Sequence, residues 1–238
     1  MGKLAMTLSE EELKSCLLAK FRRERRITAS SIIASEFVLG QTSCRSDLAI
    51  WNGAFIGVEV KSARDNLSRL PSQMRAYHKF FDEVILVCDA SHLDKAQVIC
   101  DEDVGIYVWR DRKLELAREA APNSKIDRRE CVRSLTVKQL YSGLDIKTTS
   151  RHPRPQLEDR LVADLSIDVR ALVLKAFEAT YQTTSEAFFR EVSGRRILPN
   201  HLVYLSRFAE SRSELKSYKD AREGFWRQWE LQAQVVFG

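Results

Sequence analysis

The chain has 238 residues and lacks any apolar run of about 18 residues, the length that a transmembrane helix requires. Residues 1–6 also lack the charged-then-apolar layout of a signal peptide. Met6 stands where a myristoylation pattern has Ser or Thr. These absences exclude a membrane-spanning helix and predict a cytoplasmic protein.

Cysteine and histidine are sparse, and neither follows a metal-binding pattern. The five cysteines are odd in number and include no Cys-x-x-Cys pair, which argues against a zinc ribbon and a disulfide framework. The four histidines form no His-Glu-x-x-His string, so a zinc hydrolase is not expected. The remaining composition, 44% hydrophobic and 30% charged, is ordinary for a folded protein.

The chain is basic, with a net charge of +5 and a pI near 9.0. Such a charge permits a nucleic-acid partner without proving one. The excess is spread thinly except at residues 20–26, where four arginines and a lysine cluster. This run is either the solvated end of a helix or a patch that contacts phosphates. On the second interpretation, Arg22 and Arg23 are nucleic-acid-binding residues.

The first half of the chain predicts a helix followed by an antiparallel meander. Ser9 and Glu12 have the spacing of a capping box, which marks a helix start. Three segments rich in branched and aromatic residues then predict strands at 32–39, 45–51 and 54–61. Asn52-Gly53 indicates a two-residue hairpin between the second and the third strand.

Helices and strands alternate after residue 61, which predicts an α/β fold. Pro71 suits the first turn of a helix, and an apolar face follows at Met74, Tyr77 and Phe81. Further elements are expected as strands at 84–87 and 105–109 and as helices at 91–98 and 135–144. The predicted architecture is a mixed sheet flanked by helices.

The last third of the chain is predicted to be a separate helical region. Residues 151–155 contain two prolines and predict a linker. Helices are expected at 157–192 and 201–236. The predicted organisation is therefore a core domain at 1–150 and a helical C-terminal extension at 151–238. Trp226 and Trp229 in the extension are expected to pack, with base stacking as the alternative.

Charged side chains interrupt the apolar third strand. Glu59 and Lys61 lie two apart and therefore share one face of it. The hairpin places Asp47 across from them, within a residue or two. Two carboxylates can bind Mg²⁺ or Mn²⁺, and Lys61 can orient a water or stabilise charge on a phosphate. The alternative is an ordinary surface Glu–Lys pair on an edge strand.

The arrangement of Asp47, a hairpin, and Glu59-x-Lys61 before a helix resembles the PD-(D/E)xK nuclease superfamily, which has the restriction-endonuclease-like fold. Ser46 stands where the motif names Pro. Residues 61–77 resemble small bacterial and phage members of the superfamily, related to VRR-NUC and MmcB-like nucleases. The shared pattern is an Asp and an Arg-Leu after the Lys, then a Gln with a Tyr four residues later. The resemblance covers about residues 30–110.

The resemblance implies roles for particular residues. Asp47, Glu59 and the upstream Glu36 correspond to metal ligands, and Lys61 corresponds to the catalytic lysine. Gln73 either faces the active site or lies at the surface. Arg45 either contacts DNA or pairs with Glu36.

The predicted function is metal-dependent hydrolysis of phosphodiester bonds, with DNA as the expected partner and a homodimer formed through the C-terminal helices. One alternative is a non-catalytic nucleic-acid-binding or assembly module that keeps the nuclease fold. Another is a protein-interaction subunit that works through helices 157–236.

Overall fold

The computed structural model describes residues 7–42, 44–147 and 151–206. The α-helices are α1 (Glu10–Arg23), α2 (Leu70–His78), α3 (Leu93–Ile99), α4 (Arg128–Ser134), α5 (Val137–Gly143), α6 (Arg154–Ala163) and α7 (Val169–Glu191). The strands are β1 (Ile32–Val38), β2 (Arg45–Trp51), β3 (Phe55–Lys61), β4 (Glu83–Asp89), β5 (Gly105–Arg110) and β6 (Lys113–Arg118). Short 3-10 helices follow β4 at Ala90–His92 and end the described chain at Pro199–Leu205.

The strands form one six-stranded mixed sheet in sequential order from β1 to β6. β1, β2 and β3 pair antiparallel, β3, β4 and β5 pair parallel, and β6 returns antiparallel to β5. The parallel pairs need crossover connections, which α2 and α3 provide. The prediction of an α/β mixed sheet flanked by helices, with helices after it, is confirmed.

Hydrophobic clusters cover both faces of the sheet. On one face, α1 packs with residues of β3 that include Ile56 and Val58. On the other face, Phe55 packs with α2 and α7. Gly57 belongs to this second contact, because an added Cβ would lie 2.1 Å from a ring carbon of Phe81. Because both faces are covered, all seven residues of β3 are buried.

Local sequence signals explain where several elements begin. Ser9 and Glu12 form the predicted capping box of α1, with both reciprocal hydrogen bonds present. The prediction of a two-residue hairpin is wrong. Trp51 pairs with Phe55, so three residues form the loop. Gly53 takes a φ of 108° there, which a residue with a side chain rarely adopts.

The C-terminal region contains no strand among residues 151–206, as expected, but its helices differ from the prediction. The expected helix 157–192 is two helices, because residues 164–168 separate α6 from α7. The expected helix 201–236 has only a 3-10 turn to residue 205, and residues 207–236 lie outside the described part. Trp226 and Trp229 lie outside it as well.

The predicted linker at 151–155 already contains the start of α6, with Pro155 in its first turn. Arg154 anchors this start, since its guanidinium donates to the carbonyl oxygens of Arg133 (3.0 Å) and Leu135 (2.8 Å). α7 then packs against β1 and shares the cluster that contains Phe55. The division at residue 150 remains a prediction about chain organisation.

No pattern in the sequence predicts β6 or α4, both of which are short. Within the described residues, no helix is both long and apolar enough to cross a membrane.

Candidate active site

The β2–β3 hairpin brings the predicted carboxylates together. Leu48 pairs with Val58, so the next position in the register sets Asp47 opposite Glu59. Asp47 Oδ2 accepts a hydrogen bond from the backbone N–H of Val60 at 2.6 Å. Asp47 is thus tied to the strand that carries the Glu-x-Lys pair.

Three donors surround Glu59. Lys61 Nζ and Gln73 Nε2 each lie 2.5 Å from Glu59 Oε1, and the Tyr77 hydroxyl donates to Oε2. Only 2% of Glu59 and 6% of Lys61 is exposed. Burial of a charge is costly unless it is paired and hydrogen-bonded, and this carboxylate is both.

The buried position of this pair tests one interpretation of the Glu-x-Lys sequence, that of a surface pair on an edge strand. β3 lies in the interior of the sheet, between β2 and β4. An ordinary surface pair on an edge strand is therefore wrong. An exposed pair of that kind does occur on β6, where Lys113 Nζ lies 2.6 Å from Glu115 Oε1.

α2 supplies Gln73 and Tyr77 to this site, four residues apart on one helix face. Gln73 donates a hydrogen bond to Glu59, so of its two predicted positions it takes the one that faces the site and not the one at the surface. Tyr77 was expected in the core, and it is fully buried while its hydroxyl also reaches the site. Burial, followed by the nearby Glu59 charge, raises the pKa of Tyr77 well above its usual value.

Sequence reasoning missed the contribution of α1. Lys14, only 4% exposed, places Nζ 2.5 Å from Glu10 Oε1, 3.0 Å from Glu36 Oε1 and 3.8 Å from Asp47 Oδ1. Burial lowers the pKa of Lys14, but Asp47, Glu10 and Glu36 together outweigh it and raise the pKa above the usual lysine value. A lysine inside a helix gives no signal of such a role.

Glu36 lies on β1, as predicted, but with an unusual backbone. Its φ is 56°, which is uncommon for a residue other than glycine. Its exposed side chain lies between Lys14 and Arg45, whose Nη1 is 3.7 Å from Glu36 Oε2. The predicted pairing of Arg45 with Glu36 is therefore present, and the 61% exposed Arg45 side chain also remains accessible to a ligand.

Carboxylate oxygens of Glu10, Glu36 and Asp47 lie within 4.8 Å of one another. We call these three residues the acidic cluster. Glu59, the remaining predicted metal ligand, is not part of this cluster, and its oxygens are held by Lys61, Gln73 and Tyr77. Burial and the Glu59 charge raise the pKa of Asp47 to about 8. A proton on Asp47 relieves the repulsion between these two carboxylates.

The basic run at residues 20–26 is divided between internal and exposed roles. Arg22 donates to the carbonyl oxygens of Val192 (2.8 Å) and Arg195 (2.6 Å), at the end of α7. Arg26 Nη2 lies 2.6 Å from Glu83 Oε2. Arg23 and Arg25 are exposed. The predicted phosphate contact thus has an accessible side chain at Arg23, whereas the guanidinium of Arg22 already binds backbone.

The fold and this site define a class: an α/β protein with a buried, hydrogen-bonded set of charged residues between two sheet strands and two helices. Residues 4–206 match the family model described as Bacteriophage P4 protein cII. The chain belongs to the phage P4 cII family.

Two individual proteins are similar to this chain. Protein cII of Enterobacteria phage P4 is 26% identical over 230 residues, which cover 91% of this chain and 84% of that protein. A solved structure of a protein of unknown function from Silicibacter pomeroyi aligns with a TM-score of 0.37 at 11% identity. That alignment covers 72% of this chain and 90% of the other.

Proposed function

We propose that this chain is a metal-dependent nuclease of the PD-(D/E)xK type that hydrolyses phosphodiester bonds, with DNA as the expected substrate. The convergence of Asp47, Glu59 and Lys61 in the sheet interior is the observation that carries the proposal. Gln73 adds support, because it reaches Glu59 from the following helix as the resemblance implies. The family name cII states no chemical activity, so the proposal depends on the site alone.

The donors present fit a hard divalent cation. The acidic cluster of Glu10, Glu36 and Asp47 offers carboxylate oxygens within 4.8 Å of one another, and Mg²⁺ and Mn²⁺ prefer such ligands. Glu59, the other ligand that the resemblance implies, lies outside this cluster. Gln73 Oε1 is buried with no hydrogen-bond partner within the described structure, so it can accept from a metal-bound water. A bound ion would polarise the phosphoryl oxygen and lower the pKa of a water.

The chain's own residues then have separate roles. Lys61 holds a positive charge where negative charge develops on the phosphate, and Glu59 keeps that ammonium in place. Gln73 and Tyr77 fix the Glu59 carboxylate by hydrogen bonds, so it does not reorient during the reaction. The exposed guanidinium of Arg45 is suited to bind an adjacent phosphate.

A second function is favoured by Lys14. Its ammonium already compensates part of the negative charge of the acidic cluster without a metal. A protein that binds nucleic acid, or assembles with others, without cleaving it has no need for a metal there. Self-association through the C-terminal helices remains a prediction under either function.

The test is incubation of the purified chain with linear, circular, single-stranded and branched DNA in Mg²⁺, Mn²⁺ or EDTA. We expect cleavage with either metal, none in EDTA, and none by Glu59→Gln. The matched control is Glu115→Gln, which changes the exposed Lys113–Glu115 pair and should cleave normally. DNA binding without cleavage in either metal would favour the binding module instead.

A further inference from the structure

A cavity of about 380 Å³ lies beside β1, between that strand, the start of α5 and the middle of α7. Ligand sites commonly measure about 300–1,000 Å³. We call it the β1 pocket, and the lining residues used below are Ser35, Phe37, Thr136, Phe177, Thr180 and Tyr181. It is continuous with the candidate active site, because Glu36 and Arg45 line it as well.

Aromatic rings form a fixed wall of the β1 pocket. The ring centroids of Phe37 and Phe177 are 5.3 Å apart in an edge-to-face contact, and those of Phe37 and Tyr181 are 6.1 Å apart. Phe177 and Tyr181 are buried in the core, and Phe37 is only partly buried. The wall is therefore firmly packed, and Phe37, the least buried of the three rings, is the one that can contact a ligand.

The charges of the β1 pocket select the kind of ligand. Among the described residues that line it, Glu36 and Arg45 alone are charged, and these two also belong to the candidate active site. The rest of this lining combines the aromatic rings and aliphatic side chains such as Leu135 and Val173 with uncharged polar side chains such as Ser35, Thr136 and Thr180. The charges of Glu36 and Arg45 balance each other, so the pocket favours a neutral group with polar edges.

From this geometry we infer that the β1 pocket receives one unpaired nucleobase, next to a phosphate bound by Arg45. This inference rests on the proposed function and narrows its substrate. A base stacked and paired in a duplex cannot enter a pocket of this kind without leaving the helix. The substrate is then single-stranded DNA or DNA with a locally unpaired nucleotide, and continuous duplex is the poorer ligand.

The test is a fluorescence measurement in EDTA, where no metal-dependent cleavage takes place. A 2-aminopurine base is moved through successive positions of a single-stranded oligodeoxynucleotide that the protein binds. We expect quenching on binding to be strongest at one position. An abasic nucleotide at that position should weaken binding about fivefold or more, as loss of one stacked base does.

Thr180→Phe is the variant that fills the pocket. Thr180 is exposed and its hydroxyl donates back to the carbonyl of Ala176 at 2.7 Å, so the fold should tolerate the change. Thr183→Phe is the control, because Thr183 is exposed on the same helix and does not line the pocket. We expect Thr180→Phe to lose the position-specific quenching and the penalty for the abasic nucleotide, and Thr183→Phe to keep both.

Equal behaviour of Thr180→Phe and Thr183→Phe, an abasic oligonucleotide that binds as tightly as the intact one, or no binding of single strands would each overturn the inference. Because these measurements need no metal, they are independent of cleavage. Position-specific quenching in a protein that never cleaves would support base binding in the β1 pocket and refute nuclease activity. Cleavage without that quenching would support nuclease activity and refute base binding in the pocket.

Discussion

The hydroxyl of Tyr77 donates a hydrogen bond to Glu59 Oε2 from the fully buried face of α2. Tyr77 is thus a core residue and also part of the support of a charged site. The carboxylate it holds has no solvent to replace a missing donor, so the hydrogen bond matters more than one at the surface would.

Replacement of Tyr77 by Phe should destabilise the fold by about 1–3 kcal/mol, because the ring is kept and a buried carboxylate loses a donor. Urea unfolding measures the change. In a Glu59→Gln background the same substitution should cost clearly less, since the partner charge is already absent. Equal costs in the two backgrounds would show that the hydroxyl does not act through Glu59.

Replacement of Lys61 by Met should lower stability by about 3–5 kcal/mol, because it leaves Glu59 as an uncompensated buried charge. Lys113→Met is the matched control, as it breaks a Lys–Glu pair at the exposed edge of the sheet and should have little effect. Chemical denaturation of both variants gives the comparison. Similar stabilities would contradict the assigned difference in burial.

Asp47 should make the metal-free protein less stable as pH rises. Its pKa is raised in the folded state to about 8 from 3.8, so the folded chain binds the proton more tightly than the unfolded chain. The contribution of this proton to the free energy of unfolding is complete below the unfolded pKa and is lost as pH rises towards 8. Between these two pKa values, each pH unit lowers the free energy of unfolding by at most about 1.4 kcal/mol.

The measurement is thermal unfolding in EDTA from pH 5 to pH 8. Asp47→Asn cannot ionise at this position. As pH rises, its melting temperature should therefore increase relative to that of the original chain by up to roughly 3–5 °C per pH unit. Parallel curves for the two proteins would mean that Asp47 titrates at its ordinary pKa.

Lys14→Met should leave the acidic cluster without its ammonium and destabilise the protein in EDTA by roughly 1–3 kcal/mol. Mg²⁺ should then restore more stability to the variant than it adds to the original chain, because a cation binds where the ammonium lay. Melting temperatures with EDTA and with Mg²⁺ test this. Lys20→Met, which breaks the partly exposed pair with Glu24, should show no extra response to Mg²⁺.

The basic run should separate into two functional pairs. Arg23→Gln with Arg25→Gln should weaken DNA binding and lower the slope of log K against log salt by up to about 0.9 for each phosphate that the protein no longer neutralises. Arg22→Gln with Arg26→Gln should mainly lower the melting temperature, since these side chains bind Val192, Arg195 and Glu83. An unchanged slope for Arg23 and Arg25 would leave them as a solvated helix end.

Short-range signals in the sequence explain which parts of the fold were predictable. The capping box at Ser9 and Glu12, and the branched strand residues around the Asn52-Gly53 turn, specify their structure within a few residues. Part of the site was predictable for the same reason, because Asp47, Glu59 and Lys61 are close in sequence and lie on one hairpin. Gln73 and Tyr77 follow on the next helix.

Long-range contacts explain what was missed. Lys14 reaches Glu36 across 22 positions of sequence, and nothing near Lys14 indicates that its ammonium is buried. Arg22 finds its partner 170 positions away at Val192. The break between α6 and α7 also escaped prediction, since residues 164–168 include apolar side chains that continue a helical pattern.

Ser185, on α7, also bears on the solubility of the protein. Its Oγ accepts from the Ile33 N–H at 2.8 Å and lies 3.1 Å from the Ile33 carbonyl oxygen, so it occupies the outer backbone edge of β1. An uncovered edge strand is a template on which another chain can add a strand. Chains that lose α7 are therefore expected to associate edge to edge into β-rich aggregates. By covering this edge, α7 is expected to prevent one chain from adding a strand to another.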